Sequence, residues 1–84
     1  MNKILILAGT SDQAMLLARW HGMPPTAWRY VSNPDRLLGL RNGVLWLFGT
    51  WRNRHDFREC IDVAKANGLM IFTIEDDRYI GGSA

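Results

Sequence analysis

Internal disulfides are excluded at once, because the 84 residues include a single cysteine, Cys60. A lone thiol leaves the fold to stand on its apolar core and points to a reducing compartment. Long apolar runs are as scarce. The longest, residues 4–8 and 44–48, fall far short of the roughly 20 residues that span a bilayer. Thr10, Ser11 and Asp12 interrupt the first run before it can serve as a signal-peptide core. No membrane association is expected, and the expected location is cytoplasmic. Charge of one sign is not in large excess either: the net charge is +2, with 48% hydrophobic and 21% charged residues. That balance excludes disordered and collagen-like chains. Without a recognised module it is also too weak for nucleic-acid binding.

Two nucleotide motifs are missing. No G-x-x-x-x-G-K-[ST] phosphate loop occurs, and only Gly9 stands where a dinucleotide fingerprint needs three glycines. Ser32 and Asn33 occupy the place of the acidic residue that would bind a ribose. These absences exclude a P-loop NTPase and count against a conventional dinucleotide site.

What is present is a regular alternation of strands and helices. Residues 4–8 form an apolar run closed by Gly9, the pattern of a strand buried on both faces. A helix follows, capped by Thr10 or Ser11, with Thr10 and Gln13 at capping-box spacing and Gly22, Pro24 and Pro25 beyond its end. Residues 27–31 carry the aromatic and β-branched residues of an edge strand. Ser32-Asn33-Pro34-Asp35 then starts a short helix whose apolar face is Leu37, Leu38 and Leu40. Residues 44–48 are a second central strand, closed by Gly49. From 54 to 67, Phe57, Cys60, Ile61 and Ala64 recur at helical spacing, with Asp56 and Glu59 at capping-box spacing. Residues 69–74 are the last strand.

This order predicts an α/β fold with parallel strands and right-handed crossovers. The expected architecture is a four-stranded half of a Rossmann-like or flavodoxin-like sheet, ordered 2-1-3-4, with helices on both faces. One domain spans residues 1–80, and residues 81–84 form a flexible tail. In such a sheet the first and third strands are neighbours whose helices leave on opposite faces, and ligands bind at that switch point.

Two matching loops meet there: Gly9-Thr10-Ser11-Asp12 and Gly49-Thr50-Trp51-Arg52-Asn53-Arg54. Glycine permits close approach, threonine offers a hydroxyl, and a helix start presents free N–H groups. Arg52 and Arg54 add fork-shaped donors suited to phosphate. Gly9, Thr10, Ser11, Gly49, Thr50, Arg52 and Arg54 are therefore the candidate residues for a phosphate-bearing nucleotide. Gly-Thr after a parallel strand is equally ordinary turn and cap chemistry.

Lys3 through Asp12, followed by Ala14, Leu17 and Ala18, resembles the first strand-loop-helix of Rossmann-like reductases such as precorrin-6A reductase. The wider pattern comprises Trp28-Arg29-Tyr30-Val31, Asp35-Arg36-Leu37-Leu38-Gly39-Leu40-Arg41 and Val44 through Arg54. It resembles small uncharacterised proteins encoded by bacteriophages, including those of actinobacteria. That resemblance implies a phage accessory role in the host cytoplasm and no specific activity.

Catalytic groups are thin. His55 beside Asp56 fits either a base with its orienting acid or the start of a helix, and Cys60 lies on the apolar helix face. His21 suits the negative end of the first helix. Glu75, Asp76 and Asp77, past the end of the last strand, form an acidic turn that would be solvated, orient a sugar or hold a hard cation. No cofactor is called for, and enzymatic activity is not expected. Six arginines face two aspartates between residues 29 and 58, while five acids face Lys65 and Arg78 from residue 59 onward. This asymmetry suits an anionic ligand, head-to-tail self-association or a solvated surface. Finally, Met15, Leu16 and Trp20 widen the apolar surface of the first helix beyond one buried face, marking them as a candidate interface. The expected function is a non-enzymatic interaction module acting on itself or on a host protein, with nucleotide binding at the crevice as the alternative.

Overall fold

The two continuous apolar runs become the inner strands of one sheet. A computed structural model describes residues 4–75 of the chain. Strands β1 (Ile4–Ala8) and β3 (Val44–Phe48) pair in parallel, from Ile4 opposite Val44 to Ala8 opposite Phe48. The short β2 (Trp28–Tyr30) flanks β1, and β4 (Met70–Ile74) flanks β3. The sheet is all parallel with the expected order, β2-β1-β3-β4. The expected tail at 81–84, and Asp76 and Asp77, lie outside the described residues.

Alternation along each strand sends successive side chains to opposite faces. Leu5, Leu7, Leu45 and Leu47 point to one face, where they join Val31, Leu37, Trp51, Cys60, Ala64 and Leu69 in a buried cluster. Helix α2 (Phe57–Ala66) covers that face through its Cys60 and Ala64 stripe. Ile6, Ala8 and Phe48 point the other way, onto Ala14, Leu17 and Ala18 of α1 (Ser11–Trp20). The two helices thus leave the switch point on opposite faces.

Two local expectations are corrected. The helix expected from residue 54 does form, with its Phe57, Cys60, Ile61 and Ala64 stripe intact, but it starts later: Arg54 is extended (ψ 139°) after the 3-10 turn Trp51–Asn53, and α2 begins at Phe57. The crossover after β2 is likewise a single 3-10 turn, Pro34–Leu37. One turn can direct one side chain inward. Leu37 is fully buried, whereas Leu38 is 61% exposed and Leu40 lies at the surface. Asn67 holds this turn against the end of α2 by donating from Nδ2 to the Leu37 carbonyl at 2.7 Å.

Candidate functional site

An open crevice of about 430 Å³ lies at the carboxyl ends of β1, β2 and β3, lined by Gly9, Tyr30, Ser32, Thr50, Asn53, Arg54, His55 and Asp56. Sheet order places it at the switch point. Of the seven candidate ligand residues, Gly9, Thr50 and Arg54 line it. Thr10 instead caps α1, its Oγ1 accepting from the Gln13 N–H at 3.2 Å. Ser11 is an exposed first residue of that helix, and exposed Arg52 lies over the Trp51 ring, 4.5 Å from its centroid.

The two Gly-Thr loops are brought together, but by a side chain of the protein itself. Gln13 Oε1 accepts from the backbone N–H of Gly9 (2.9 Å) and of Thr50 (3.0 Å), while its Nε2 donates to Thr50 Oγ1 at 3.1 Å. One carboxamide therefore bridges the loops after β1 and β3. The glycines make room for it. A Cβ on Gly9 would overlap Thr50 Oγ1, and one on Gly49 would overlap Gln13 Oε1. Gly49 also has φ +67°, a conformation that disfavours other residues. The expected capping box is thus half formed: Thr10 caps, but Gln13 reaches across to the second loop.

Arg54 is equally occupied. Its Nε and Nη2 donate to the two oxygens of Asp56, each at 2.9 Å. The remaining N–H groups donate to the carbonyls of Ala8 (3.1 Å), Val31 (2.6 Å) and Ser32 (3.0 Å). All five donors of a guanidinium are used. The pair is well shielded, with side chains 10% and 14% exposed. The Arg54 hydrogen bonds hold the Asp56 carboxyl below the usual carboxylate range, against the opposing effect of burial. Burial is the strongest single influence and works against the Arg54 charge, yet the Asp56 hydrogen bond and the charge attraction of Tyr30, Asp56 and Cys60 together outweigh it, and the guanidinium pKa is raised. This pairing also explains why Asp56 makes no side-chain cap at α2, so the Asp56 and Glu59 capping box does not form.

Around this neutralised pair stand groups with spare hydrogen-bonding capacity. The Tyr30 ring sits beside the Arg54 guanidinium, at 5.7 Å. The Tyr30 hydroxyl, the Asn53 carboxamide and the exposed His55 imidazole make no hydrogen bond to another described residue. Cys60 is fully buried, its Sγ 3.9 Å from Asp56 Oδ2. Burial, assisted by the Asp56 charge, pushes its thiol up to about 11. Among the described residues no cluster of three or more His, Cys, Asp or Glu is placed to hold a metal ion.

The candidate interface residues part company. Met15 is 48% exposed, Leu16 is half-buried, and Trp20 turns inward to meet Phe48 edge-on at 6.0 Å. Sequence reasoning did not single out β4, where Met70 is 60% and Phe72 45% exposed. Nor did it place exposed His21 against Trp46, at a ring separation of 5.1 Å. Tyr30, Ser32 and Asn53 line the crevice without having been chosen as ligand residues: Tyr30 ends β2, Ser32 follows it, and Asn53 lies in the second Gly-Thr loop, where neutral side chains carried no phosphate signal. Among the described residues, no helix is long and apolar enough to cross a membrane. The chain matches no protein-family model, no curated protein and no solved structure.

Proposed function

We propose that this is a small phage accessory protein that works by association rather than catalysis, docking in the host cytoplasm on a second copy of itself or on a host protein. One observation carries the reading. Met70 and Phe72 are exposed on the α1 side of a parallel sheet, a kind of sheet whose faces are ordinarily both covered. Helix α1 packs on β1, β2 and β3, which leaves the outer strand to other cover. Exposed Met15 adds a second apolar group, and methionine and aromatic side chains are favoured interface anchors. The resemblance to phage-encoded proteins supports the biological setting. A non-enzymatic role is supported by the chemistry near the crevice: the cysteine is buried as a thiol, Asp56 is committed to Arg54, and His55 has no orienting partner among the described residues.

Sedimentation velocity over a wide concentration range tests this reading. The expected result is concentration-dependent association that Phe72→Lys abolishes and Leu16→Asp weakens. A wild type that stays at 9.6 kDa and whose apolar surface no host protein protects from labelling would defeat it.

The crevice supports a second reading, in which the protein binds a nucleotide-type ligand at the switch point. Its volume falls in the range of small-molecule sites, about 300–1,000 Å³. Thermal-shift screening against nucleotides tests it, and a shift lost in Asn53→Ala is expected.

A further inference from the structure

We propose that the crevice takes an uncharged planar ring with mixed donors and acceptors on its edge, the chemistry of a nucleobase or nucleoside, and does not take phosphate. The inference rests on the second reading above and specifies its ligand. It follows from which polar groups are spent and which remain.

The crevice-lining groups suited to an anion are spent. A phosphate at the paired loops needs the N–H groups of Gly9 and Thr50, and the Gln13 oxygen already occupies both. That carboxamide is an internal competitor, held by three hydrogen bonds at 2.9 to 3.1 Å. A phosphate at Arg54 would have to displace the Asp56 carboxylate or a backbone carbonyl, stripping a partner from a shielded group. The local charge is also cancelled, because Asp56 faces Arg54 with two bonds of 2.9 Å.

The groups that remain offer hydrogen bonds of both senses. The Tyr30 hydroxyl and the Asn53 carboxamide each donate and accept, and the exposed His55 imidazole adds two ring nitrogens. Tyr30 brings a half-buried aromatic ring whose neighbour is the planar guanidinium of Arg54. A flat heteroaromatic edge satisfies such a set, and a site built on hydrogen bonds discriminates strongly against ligands that lack them.

Backbone amide titrations by NMR on the intact protein provide the test, with adenosine, guanosine, cytidine and uridine as probes and inorganic phosphate and adenosine monophosphate as contrasts. At least one nucleoside is expected to move the Gly9, Asn53 and His55 amides saturably. Asn53→Ala is expected to weaken it about three- to tenfold, and Tyr30→Phe by a smaller factor, as loss of single neutral hydrogen bonds predicts. Both substitutions leave apolar packing in place, so the fold is retained. Inorganic phosphate is expected to leave Gly9 and Thr50 unmoved, and the monophosphate to bind no tighter than adenosine. Saturable shifts of Gly9 and Thr50 by inorganic phosphate, or a monophosphate preference of tenfold or more, would overturn the neutral-ligand inference while leaving a ligand site standing. Silence from all four nucleosides and from both phosphate probes would overturn the inference and the second reading together.

Discussion

The two faces of the sheet are built from equally apolar strands and end up in different states. On the α2 side, the helix, two 3-10 turns and Leu69 close over Leu5, Leu7, Leu45 and Leu47, and Leu37 and Cys60 are sealed completely. On the α1 side a single helix covers Ile6, Ala8 and Phe48, while Met70 and Phe72 remain open. The register makes the contrast local. Leu45 pairs with Ile71, which packs in the closed cluster, while its neighbour Trp46 pairs with the exposed Phe72. Adjacent residues of the same strands therefore serve different ends, one set holding the fold and the other presenting surface. The closed face is also anchored at its crevice end, where Arg54 ties the ends of β1 and β2 to the segment entering α2.

If the closed face carries the stability, its anchor should be the most sensitive point. Arg54→Met leaves the Asp56 carboxylate shielded without its partner and removes the guanidinium donor from three carbonyls. A loss of about 3–5 kcal/mol follows, measurable by urea denaturation. Leu37→Ala should come next, at about 2–5 kcal/mol, since a fully buried side chain leaves a cavity under α2. Near-neutral values for both would mean that the two faces do not differ as described. Gln13→Ala should cost about 1–2 kcal/mol, because it strips the Gly9 and Thr50 N–H groups of their acceptor and loosens the joint between the faces. Faster hydrogen exchange at those two amides is the direct readout.

Acid and alkali should attack the closed face at two groups. Folded Asp56 binds its proton less readily than in the unfolded chain, where the ordinary value is 3.8. The unfolded state takes up protons first, so stability drains as pH falls through 3.8 and below. Cys60 has the opposite sign: the folded thiol keeps its proton up to about 11, against an ordinary value of 9.0. Its contribution is full below 9.0 and is lost as pH rises through about 11. Denaturation midpoints measured from pH 3 to 11 should fall at both ends, and the alkaline fall should shrink in Cys60→Ala.

Much of this architecture is legible in the sequence, for a physical reason. Continuous apolar runs at 4–8 and 44–48, each ended by glycine, are what strands with cover on both sides require, and the crossover rule then orders the sheet. The same reasoning cannot see that Met70 and Phe72 of β4 lie exposed, because Met70, Ile71 and Phe72 read like any buried run and cover is supplied by distant elements. It also reads Leu38 and Leu40 as part of an apolar face, although the 3-10 turn there has room inward only for Leu37. The paired loops at Gly9 and Gly49 are equally visible. Their use is not, since Arg54 finds its carbonyls at positions 8, 31 and 32, and Gln13 finds Thr50 37 residues away. Fork-shaped donors and free N–H groups suit an external phosphate and an internal partner alike, and only the fold decides which arrives.

The smallest effect expected on stability is the one that bears most directly on the open face. Phe72 is 45% exposed on the outermost strand, and its pairing partner Trp46 is shielded in part by His21. Replacement by threonine keeps β-propensity and the ladder's backbone hydrogen bonds while removing the exposed ring. A monomer that merely tolerates this residue should change by no more than about 0.5 kcal/mol at low protein concentration. The same substitution should separate the two states when measured at high concentration: if Phe72 is covered by another chain, wild type gains stability with concentration by mass action and Phe72→Thr does not. A cost above about 2 kcal/mol at low concentration would place Phe72 with Leu37 among the residues that hold the monomer, and the contrast between the faces would disappear.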